Sequence, residues 1–157
     1  MDEDVKMMRA AIRQAEAAAR KGEVPVGAVV ARDGVILARA HNLRESKKDP
    51  TAHAELLALQ RAAKKLGGWR LTGCTLYVTL EPCPMCAGAA INARIARIVY
   101  GAPDPKAGCC HSLYALPGDT RFNHRCQMQS GCMEEACRAL LQSFFREKRK
   151  SRKEADR

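Results

Sequence analysis

The sequence is poor in aromatic residues, which make up only 4% of it. Since 46% of the residues are nonetheless hydrophobic, a folded core must consist mainly of aliphatic side chains. No run of about 18 apolar residues occurs, which excludes a transmembrane helix. The first residues, Met1-Asp2-Glu3-Asp4, are acidic and lack the apolar segment of a signal peptide. We therefore expect a cytoplasmic protein of one domain, because 157 residues hardly suffice for two.

Acidic residues are scarce relative to basic ones. The 17 Asp and Glu face 27 Lys and Arg, so the formal net charge is +10. Half of this excess lies in residues 138–157, which hold eight Lys or Arg and three Asp or Glu. A concentrated basic end favours a polyanionic partner. A solvated tail without any partner has the same composition, so charge alone leaves both interpretations open.

Hydrophobic periodicity predicts alternating helices and strands. The predicted elements are a helix over 4–21, strands over 26–30 and 35–38 joined by a turn at Asp33-Gly34, a helix over 50–66 capped by Asp49, a strand over 74–80, a helix over 84–93, strands over 98–100 and 125–129, and a last helix from residue 133. The last helix carries seven apolar residues at core-facing spacing, from Met133 to Phe145. We expect an α/β fold, a three-layer α/β/α sandwich with a mixed five-stranded sheet over residues 1–149, and a frayed basic tail over 150–157.

Three residues of types that zinc prefers stand near predicted helix starts. His53 precedes the apolar run of one helix, and Cys83 and Cys86 lie one helical turn apart at the start of another. A helix N-terminus favours the thiolate form of cysteine. Three protein ligands leave the fourth tetrahedral position open for water, which is typical of a catalytic zinc site.

Two other interpretations of these residues remain open at this point. Cys83 and Cys86 could be a redox pair, although such a pair has no need of His53 and Glu55. The site could also be structural, with His41, His111, His124 or another cysteine as a fourth ligand. On a regular helix, residues two apart point about 200° away from each other, so spacing alone does not bring Glu55 to the metal.

The two motifs together resemble the His-x-Glu and Pro-Cys-x-x-Cys signature of zinc nucleobase deaminases. The resemblance is greatest to the bacterial tRNA-specific adenosine deaminases, which belong to the cytidine deaminase-like superfamily, and spans residues 5–149. Besides the two zinc motifs, it rests on Val24 to Ala28, Asp49 to Ala52, Ala87 to Ala89, Asn123-His124-Arg125 and Phe144-Phe145-Arg146.

The resemblance implies hydrolytic deamination of adenosine to inosine at the wobble position of a tRNA anticodon by a homodimer with one Zn²⁺ per subunit. By resemblance, the zinc ligands would be His53, Cys83 and Cys86, and Glu55 would be the catalytic proton shuttle. Asn42 would contact the target nucleotide. The residues expected to contact the anticodon loop are Asp104, Lys106, Asn123, Phe145 and Arg149.

One segment departs from the resemblance. Gly108-Cys109-Cys110-His111-Ser112 stands where relatives have mostly glycine and alanine, and His111 replaces a usual glycine. The adjacent cysteines could bind a second metal or become oxidised, whereas the other cysteines outside the zinc motif are expected to pack as small apolar groups.

Two rival functions are a deaminase of free guanine or cytosine bases or nucleosides, and a zinc-stabilised RNA-binding module without catalysis. The basic terminal segment argues against the first, because a small substrate needs no such surface. Glu55 argues against the second, because a structural zinc site gives no reason for it.

Overall fold

Five strands form one mixed sheet with helices on both faces in the computed structural model of the chain, which describes residues 2–156. The elements are α1 (Asp2–Arg20), β1 (Gly27–Arg32), β2 (Val35–His41), α2 (Arg44–Lys47), α3 (Ala54–Leu66), β3 (Thr75–Leu80), α4 (Pro84–Asn92), β4 (Arg97–Ala102), a 3₁₀ turn (Leu116–Gly118), β5 (Gln127–Gln129) and α5 (Glu134–Ala155). Within residues 2–156, no helix is long and apolar enough to cross a bilayer.

The strand order is β2-β1-β3-β4-β5. β1 is antiparallel to both β2 and β3, whereas β3, β4 and β5 are parallel. The β1–β2 hairpin turns at Asp33 and Gly34, both of which have positive φ, as a two-residue type I′ turn requires. β3, α4 and β4 form a β-α-β unit, so the start of α4 lies at the end of the sheet where β3 finishes.

The two faces of the sheet bury separate apolar clusters, because side chains alternate along each strand. Val30, Leu76 and Ile98 pack with residues of α3 and α4 on one face. Val29, Tyr77 and Val99 pack with residues of α1 and with Cys137 of α5 on the other. The predicted three-layer α/β/α sandwich with a mixed five-stranded sheet is therefore confirmed.

Helix α1 lies unusually close to β1. A Cβ atom added at Gly27 would stand 2.0 Å from the backbone oxygen of Ala11 and 2.5 Å from the nitrogen of Ala15. Only glycine fits this contact, since real Cβ atoms do not approach backbone atoms so closely. The close contact holds the chain between α1 and β1 against the sheet.

The segment before α3 differs from the prediction. We expected Asp49 to cap a helix beginning at Pro50, but α3 begins at Ala54 and its N-cap is His53. Asp49 Oδ1 instead accepts hydrogen bonds from the backbone N–H and hydroxyl of Thr51, at 2.8 and 2.7 Å. The Asp-Pro pair therefore forms a local turn and not a helix start, because aspartate and proline are favoured in both structures. The segment between the predicted strand over 35–38 and the predicted helix over 50–66, for which the sequence predicted no helix or strand, contains the short helix α2.

The last helix also differs from the prediction. Of its seven apolar stripe residues only Cys137 is buried, and Phe145 is 42% exposed. The helix packs against β4 and β3 but then extends past them, so the later part of its apolar face has no sheet to cover it. The backbone is helical through Ala155 and has no break at residue 149. Lysine, arginine and glutamate, the main residues of the predicted tail, are good helix formers.

A partly buried ion pair connects the start of α1 to the sheet. The Asp4 carboxylate accepts two hydrogen bonds from Arg97 on β4, at 2.9 and 2.6 Å, and one from the Tyr77 hydroxyl on β3, at 2.9 Å. The hydrogen bonds from Arg97 lower the pKa of Asp4 below its usual range. The carboxylate is therefore more stable in the folded chain than in the unfolded one.

We predict that Asp4→Asn lowers the free energy of unfolding at pH 7 by about 1–3 kcal/mol, because it replaces a charged acceptor. Since folding lowers the pKa of Asp4, this stabilisation is present above the unfolded-state pKa of about 3.9 and is lost as the pH falls through the folded-state pKa. Urea unfolding at pH 7 and pH 3 measures both effects. Glu16→Gln, on the exposed side of α1, is the control. An equal deficit at both pH values would contradict the ion-pair explanation.

Candidate active site

Two helix N-termini meet beyond the end of β3. His53 is the N-cap of α3 and has an extended backbone, with φ −75° and ψ 150°. Cys83 is the N-cap of α4, Pro84 occupies the first turn, and Cys86 lies one turn further on. Proline is favoured at this position because the first N–H groups of a helix have no partner within it. The three predicted ligands therefore come together from two separate elements.

The spacing of their donor atoms fits a tetrahedral metal ion. His53 Nδ1 lies 3.6 Å from Cys83 Sγ and 3.5 Å from Cys86 Sγ. All three donor atoms lie within 4.8 Å of one another. With Zn–N and Zn–S bonds of ordinary length at the tetrahedral angle, the nitrogen–sulfur separation would be about 3.6 Å. One imidazole and two thiolates also balance the charge of a divalent ion.

The three donor groups shift one another's pKa values. A hydrogen bond from the Cys86 thiol, together with one from His53, lowers the pKa of Cys83 to about 4. Hydrogen bonding to Cys83 raises the pKa of Cys86 and also that of His53. A bound cation would displace the protons of these groups, as is usual when thiols become ligands.

Glu55 is buried beside the three ligands, with 4% of its surface exposed. Burial raises the pKa of Glu55 to about 7. The sequence left open which way the Glu55 side chain points, because on a regular helix it would point away from His53. His53 lies outside the helix, so the 200° relation does not apply to this pair. Glu55 and His53 both line one cavity of about 200 Å³.

This cavity, which we call the reaction pocket, is on the scale of one nucleobase. Asn42 is 6% exposed at its wall. Its side-chain nitrogen donates to the backbone oxygen of Val24 (3.3 Å), and its oxygen accepts from the backbone N–H of Arg44 (3.2 Å). The remaining lining residues are Val24, Val26, Arg44, Ala54, Leu80, Glu81, Cys83, Asp104 and Ala107.

A second cavity of about 290 Å³, the basic groove, adjoins the reaction pocket and shares Val24, Asn42 and Arg44 with it. Its outer side comes from α5, whose contributions are Phe145, Lys148, Arg149 and Arg152. Phe145 therefore lies where a ligand could contact it and not in the core. The sequence analysis did not single out Arg44 or Arg152. Arg44 had a possible signal, since it stands two residues after Asn42.

A buried carboxylate fixes the segment shared by the two cavities. Glu23 is fully buried and accepts hydrogen bonds from the N–H of Glu45 (3.1 Å) and from the N–H and hydroxyl of Ser46 (both 2.6 Å). Burial raises the pKa of Glu23, but the hydrogen bonds from Ser46 outweigh it, so the net shift is downward. Glu23 thereby anchors α2, which begins with Arg44.

Other predicted residues lie farther from the metal ligands. Lys106 is exposed on the loop after β4, two residues from Asp104. Asn123 is exposed near the opposite end of the sheet, because His124 Nε2 bonds the backbone oxygen of Ile95 (2.7 Å) just before β4 begins. The structure therefore does not bring Asn123 to the reaction pocket of its own chain.

The alternative ligands have other partners. His41 bonds Gln14 and Lys21, and His111 Nδ1 bonds the Tyr100 hydroxyl at 2.6 Å. Cys109 and Cys110 are buried, and among residues 2–156 the three ligands above form the one group that could hold a metal ion. His111 does not have a positive φ, so its position does not require the usual glycine.

A mixed α/β/α sandwich with one histidine and two cysteines at helix starts, beside a buried glutamate, defines the nucleobase deaminase class. The family model of the MafB19-like deaminases matches residues 2–149, and the chain belongs to this family. The chain is 53% identical over 155 residues to a tRNA-specific adenosine deaminase of Bacillus subtilis (strain 168), which covers 99% of this chain and 96% of that relative.

Solved structures agree with this assignment. One from a study of A-to-I editing by tRNA:A34 deaminases has a TM-score of 0.83 and 41% identity, over 87% of this chain and 99% of that one. The guanine deaminase of Nitrosomonas europaea has a TM-score of 0.79 at 24% identity, over 89% of this chain and 83% of that one, which indicates a shared fold.

We predict that Cys83→Ser abolishes stable metal binding, because serine does not offer the soft anionic ligand that a thiolate does. The wild-type chain should retain about one zinc ion after dialysis, measured by elemental analysis. Cys132→Ser, a half-buried cysteine outside the ligand group, is the control and should retain it too. Full zinc occupancy in Cys83→Ser would remove this residue from the ligand set.

Proposed function

We propose that the chain is a zinc-dependent hydrolytic deaminase that converts adenosine to inosine at the wobble position of a tRNA anticodon. The observation that carries the proposal is the buried Glu55 beside a three-ligand donor set, in a pocket that continues into the basic groove. The identity to tRNA-specific adenosine deaminases along nearly the whole chain supports the choice of substrate. A tRNA substrate and ligands that need reduced thiols both fit a cytoplasmic location.

Zinc would be held by His53, Cys83 and Cys86, one ion per chain. When bound there, it would supply the Lewis acidity that makes water nucleophilic near neutral pH. The donor distances and the charge balance of the site support this choice of metal.

Glu55 would move the protons of the reaction. It accepts a proton from the water that attacks C6 of adenine and delivers it to the ring nitrogen N1. It then accepts the remaining proton of the hydroxyl group now on C6 and delivers it to the exocyclic amine, which leaves as ammonia while the C6 carbonyl forms. Its burial excludes bulk water and keeps the carboxyl group available for both transfers.

The basic groove would hold nucleotides next to the target. Asn42 lies where the two cavities join and can contact the extruded nucleotide. Phe145 offers an aromatic face for an adjacent base, and Arg149, Lys148 and Arg152 can neutralise phosphates. Asp104 lines the reaction pocket, and Lys106 follows it on the same loop. A single-stranded anticodon loop makes base extrusion less costly than in a duplex.

A deaminase of free guanine or cytosine would use the same metal site. The basic groove argues against it, because a free base fills only the reaction pocket and leaves the three cations that α5 contributes to the groove, together with Phe145, without a role.

We predict that Glu55→Gln retains about one zinc ion per chain but loses at least about 10²-fold in kcat, since proton transfer by a positioned side chain contributes that much or more. Inosine formation in an anticodon stem-loop and zinc content are measured on the same sample. Glu16→Gln should match the wild type in both. Substantial activity of the Glu55→Gln enzyme would exclude Glu55 as the proton carrier.

We predict that Lys148→Ala/Arg149→Ala weakens stem-loop binding at low salt and lowers the slope of log Kd against log salt by about two, one for each lost phosphate contact. Lys64→Ala/Lys65→Ala, on the exposed end of α3 away from the groove, is the matched control. Fluorescence anisotropy at several salt concentrations gives both slopes. Equal slopes in the two double variants would show that α5 makes no special contact with RNA.

We further propose a homodimer formed through α4. This helix has no charged residue, and Met85, Gly88, Ala89 and Asn92 form its incompletely buried face. A Cβ at Gly88 would meet nothing within 4 Å. The neighbouring segment adds Leu113 and Tyr114, which are 51% and 66% exposed. A surface helix that is apolar all round is typical of an interface.

A two-fold axis across α4 would set the two copies of this helix antiparallel. The C-terminal end of one α4 would then lie beside the N-terminal end of the other, which carries the metal ligands. Asn123 lies near the C-terminal end of its own α4. This arrangement would bring Asn123 toward the RNA bound at the partner's pocket and would account for its distance from its own.

We predict that Glu55→Ala and Asn123→Ala chains, each of low activity alone, regain about one quarter of the wild-type rate when unfolded and refolded together in equal amounts, since half of the dimers then contain one complete site. Sedimentation velocity would measure whether the refolded chains form dimers, and initial rates on the stem-loop would measure the recovery of activity. A mixture no more active than the Asn123→Ala protein at half its concentration would mean that Asn123 does not act across subunits.

A further inference from the structure

One buried carboxylate near the reaction pocket takes no part in the proposed chemistry. Glu81 directly follows β3 and precedes the metal-ligand segment by one residue. It is 2% exposed. A buried carboxylate is costly unless hydrogen bonds satisfy both oxygens.

All the hydrogen bonds recorded to the Glu81 side chain come from one loop, residues 104–112. Oε2 accepts three backbone N–H groups, those of Cys110 (3.1 Å), His111 (2.9 Å) and Ser112 (2.9 Å). Oε1 accepts the N–H of Asp104 at 3.0 Å and the hydroxyl of Ser112. The loop therefore wraps around the carboxylate from both ends.

The loop passes so close to Glu81 that only glycine fits at one position. A Cβ added at Gly108 would lie 2.3 Å from Cδ of Glu81 and 2.6 Å from the backbone oxygen of Asp104. A side chain there would push the loop away from the carboxylate, because the Asp104 oxygen belongs to the backbone and the Glu81 carboxylate is held by five hydrogen bonds.

The same loop is one wall of the reaction pocket, through Asp104 and Ala107. Asp104 Oδ1 accepts the N–H groups of Lys106 and Ala107, at 3.1 and 3.2 Å, so the wall is a tight turn. Farther along the loop, the backbone N–H of Cys109 donates to the backbone oxygen of Pro82 at 2.9 Å, directly before the predicted metal ligand Cys83.

We propose that Glu81 is a positioning residue, whose carboxylate holds the 104–112 loop at a fixed distance from the metal ligands and so sets the substrate wall of the reaction pocket. In this role Glu81 acts through the loop residues Asp104 and Ala107, while its own side chain also borders the reaction pocket. What this wall binds rests on the proposed function, whereas the link between Glu81 and the loop does not.

Glu81→Gln tests the proposal because glutamine has the same shape. Whichever way its amide is turned, its NH₂ group faces at least one backbone N–H, which needs an acceptor. We expect amide hydrogen exchange at residues 104 and 110–112 to accelerate at least about tenfold, and KM for an anticodon stem-loop to rise at least about tenfold. Zinc content and kcat should stay near wild type.

Gly108→Ala tests the same contact from the loop side, and should reproduce the faster exchange and the higher KM even if Glu81→Gln does not fold. The matched controls are Glu16→Gln and Gly68→Ala, because Glu16 is exposed and a Cβ at Gly68 meets nothing within 4 Å. Both should behave as wild type.

Unchanged exchange at residues 110–112 in both test variants would overturn the proposal. A wild-type KM, or a loss confined to kcat or to zinc content, would do so as well. If the wild-type protein itself does not deaminate the stem-loop, the proposed function fails, and the exchange rates still decide whether Glu81 holds the loop.

Discussion

The convergence of two helix starts on one point is the constraint on which the rest of the structure depends. His53 must end an extended segment just as α3 begins, and Cys83 must do the same for α4, so that one nitrogen and two sulfurs lie within 4.8 Å of one another. The parallel pair β3 and β4 places α4 at the required end of the sheet. The close fit of α1 at Gly27 holds the other side of the sheet in place.

Buried carboxylates organise the two walls of the reaction pocket. Glu23 anchors α2 and thereby Arg44, on the side toward the basic groove. Glu81 accepts hydrogen bonds from the loop that carries Asp104, on the opposite side. Neither group has a role in proton transfer, yet each converts an irregular segment into a fixed surface, because a buried charge holds its donors firmly. The proposed chemistry at Glu55 would therefore take place between α2 and the 104–112 loop, each of which donates hydrogen bonds to a buried carboxylate.

Much of this could be predicted from the sequence, and the failures have physical causes. Cys83, Cys86 and His53 were identified because ligand type and helix starts are local signals. The direction of the Glu55 side chain was not predicted, because it depends on His53 lying outside the helix. The helix start predicted at Asp49-Pro50 was wrong, because these residues form a turn instead. The apolar stripe of α5 has the right period for a core, but periodicity does not tell how far the sheet extends beneath it. The structural role of Glu81 could not be predicted, since its hydrogen-bond partners lie more than 20 residues away along the chain.

The central claim is that the metal site, Glu55 and the basic groove act together on one adenosine of a folded RNA. The most direct test is to incubate the zinc-loaded protein with total bacterial tRNA and to sequence the tRNA for adenosines that are now read as guanosine. The account predicts conversion at the wobble position of the anticodon and nowhere else. Unaltered tRNA together with ammonia release from free guanine or cytosine would contradict it.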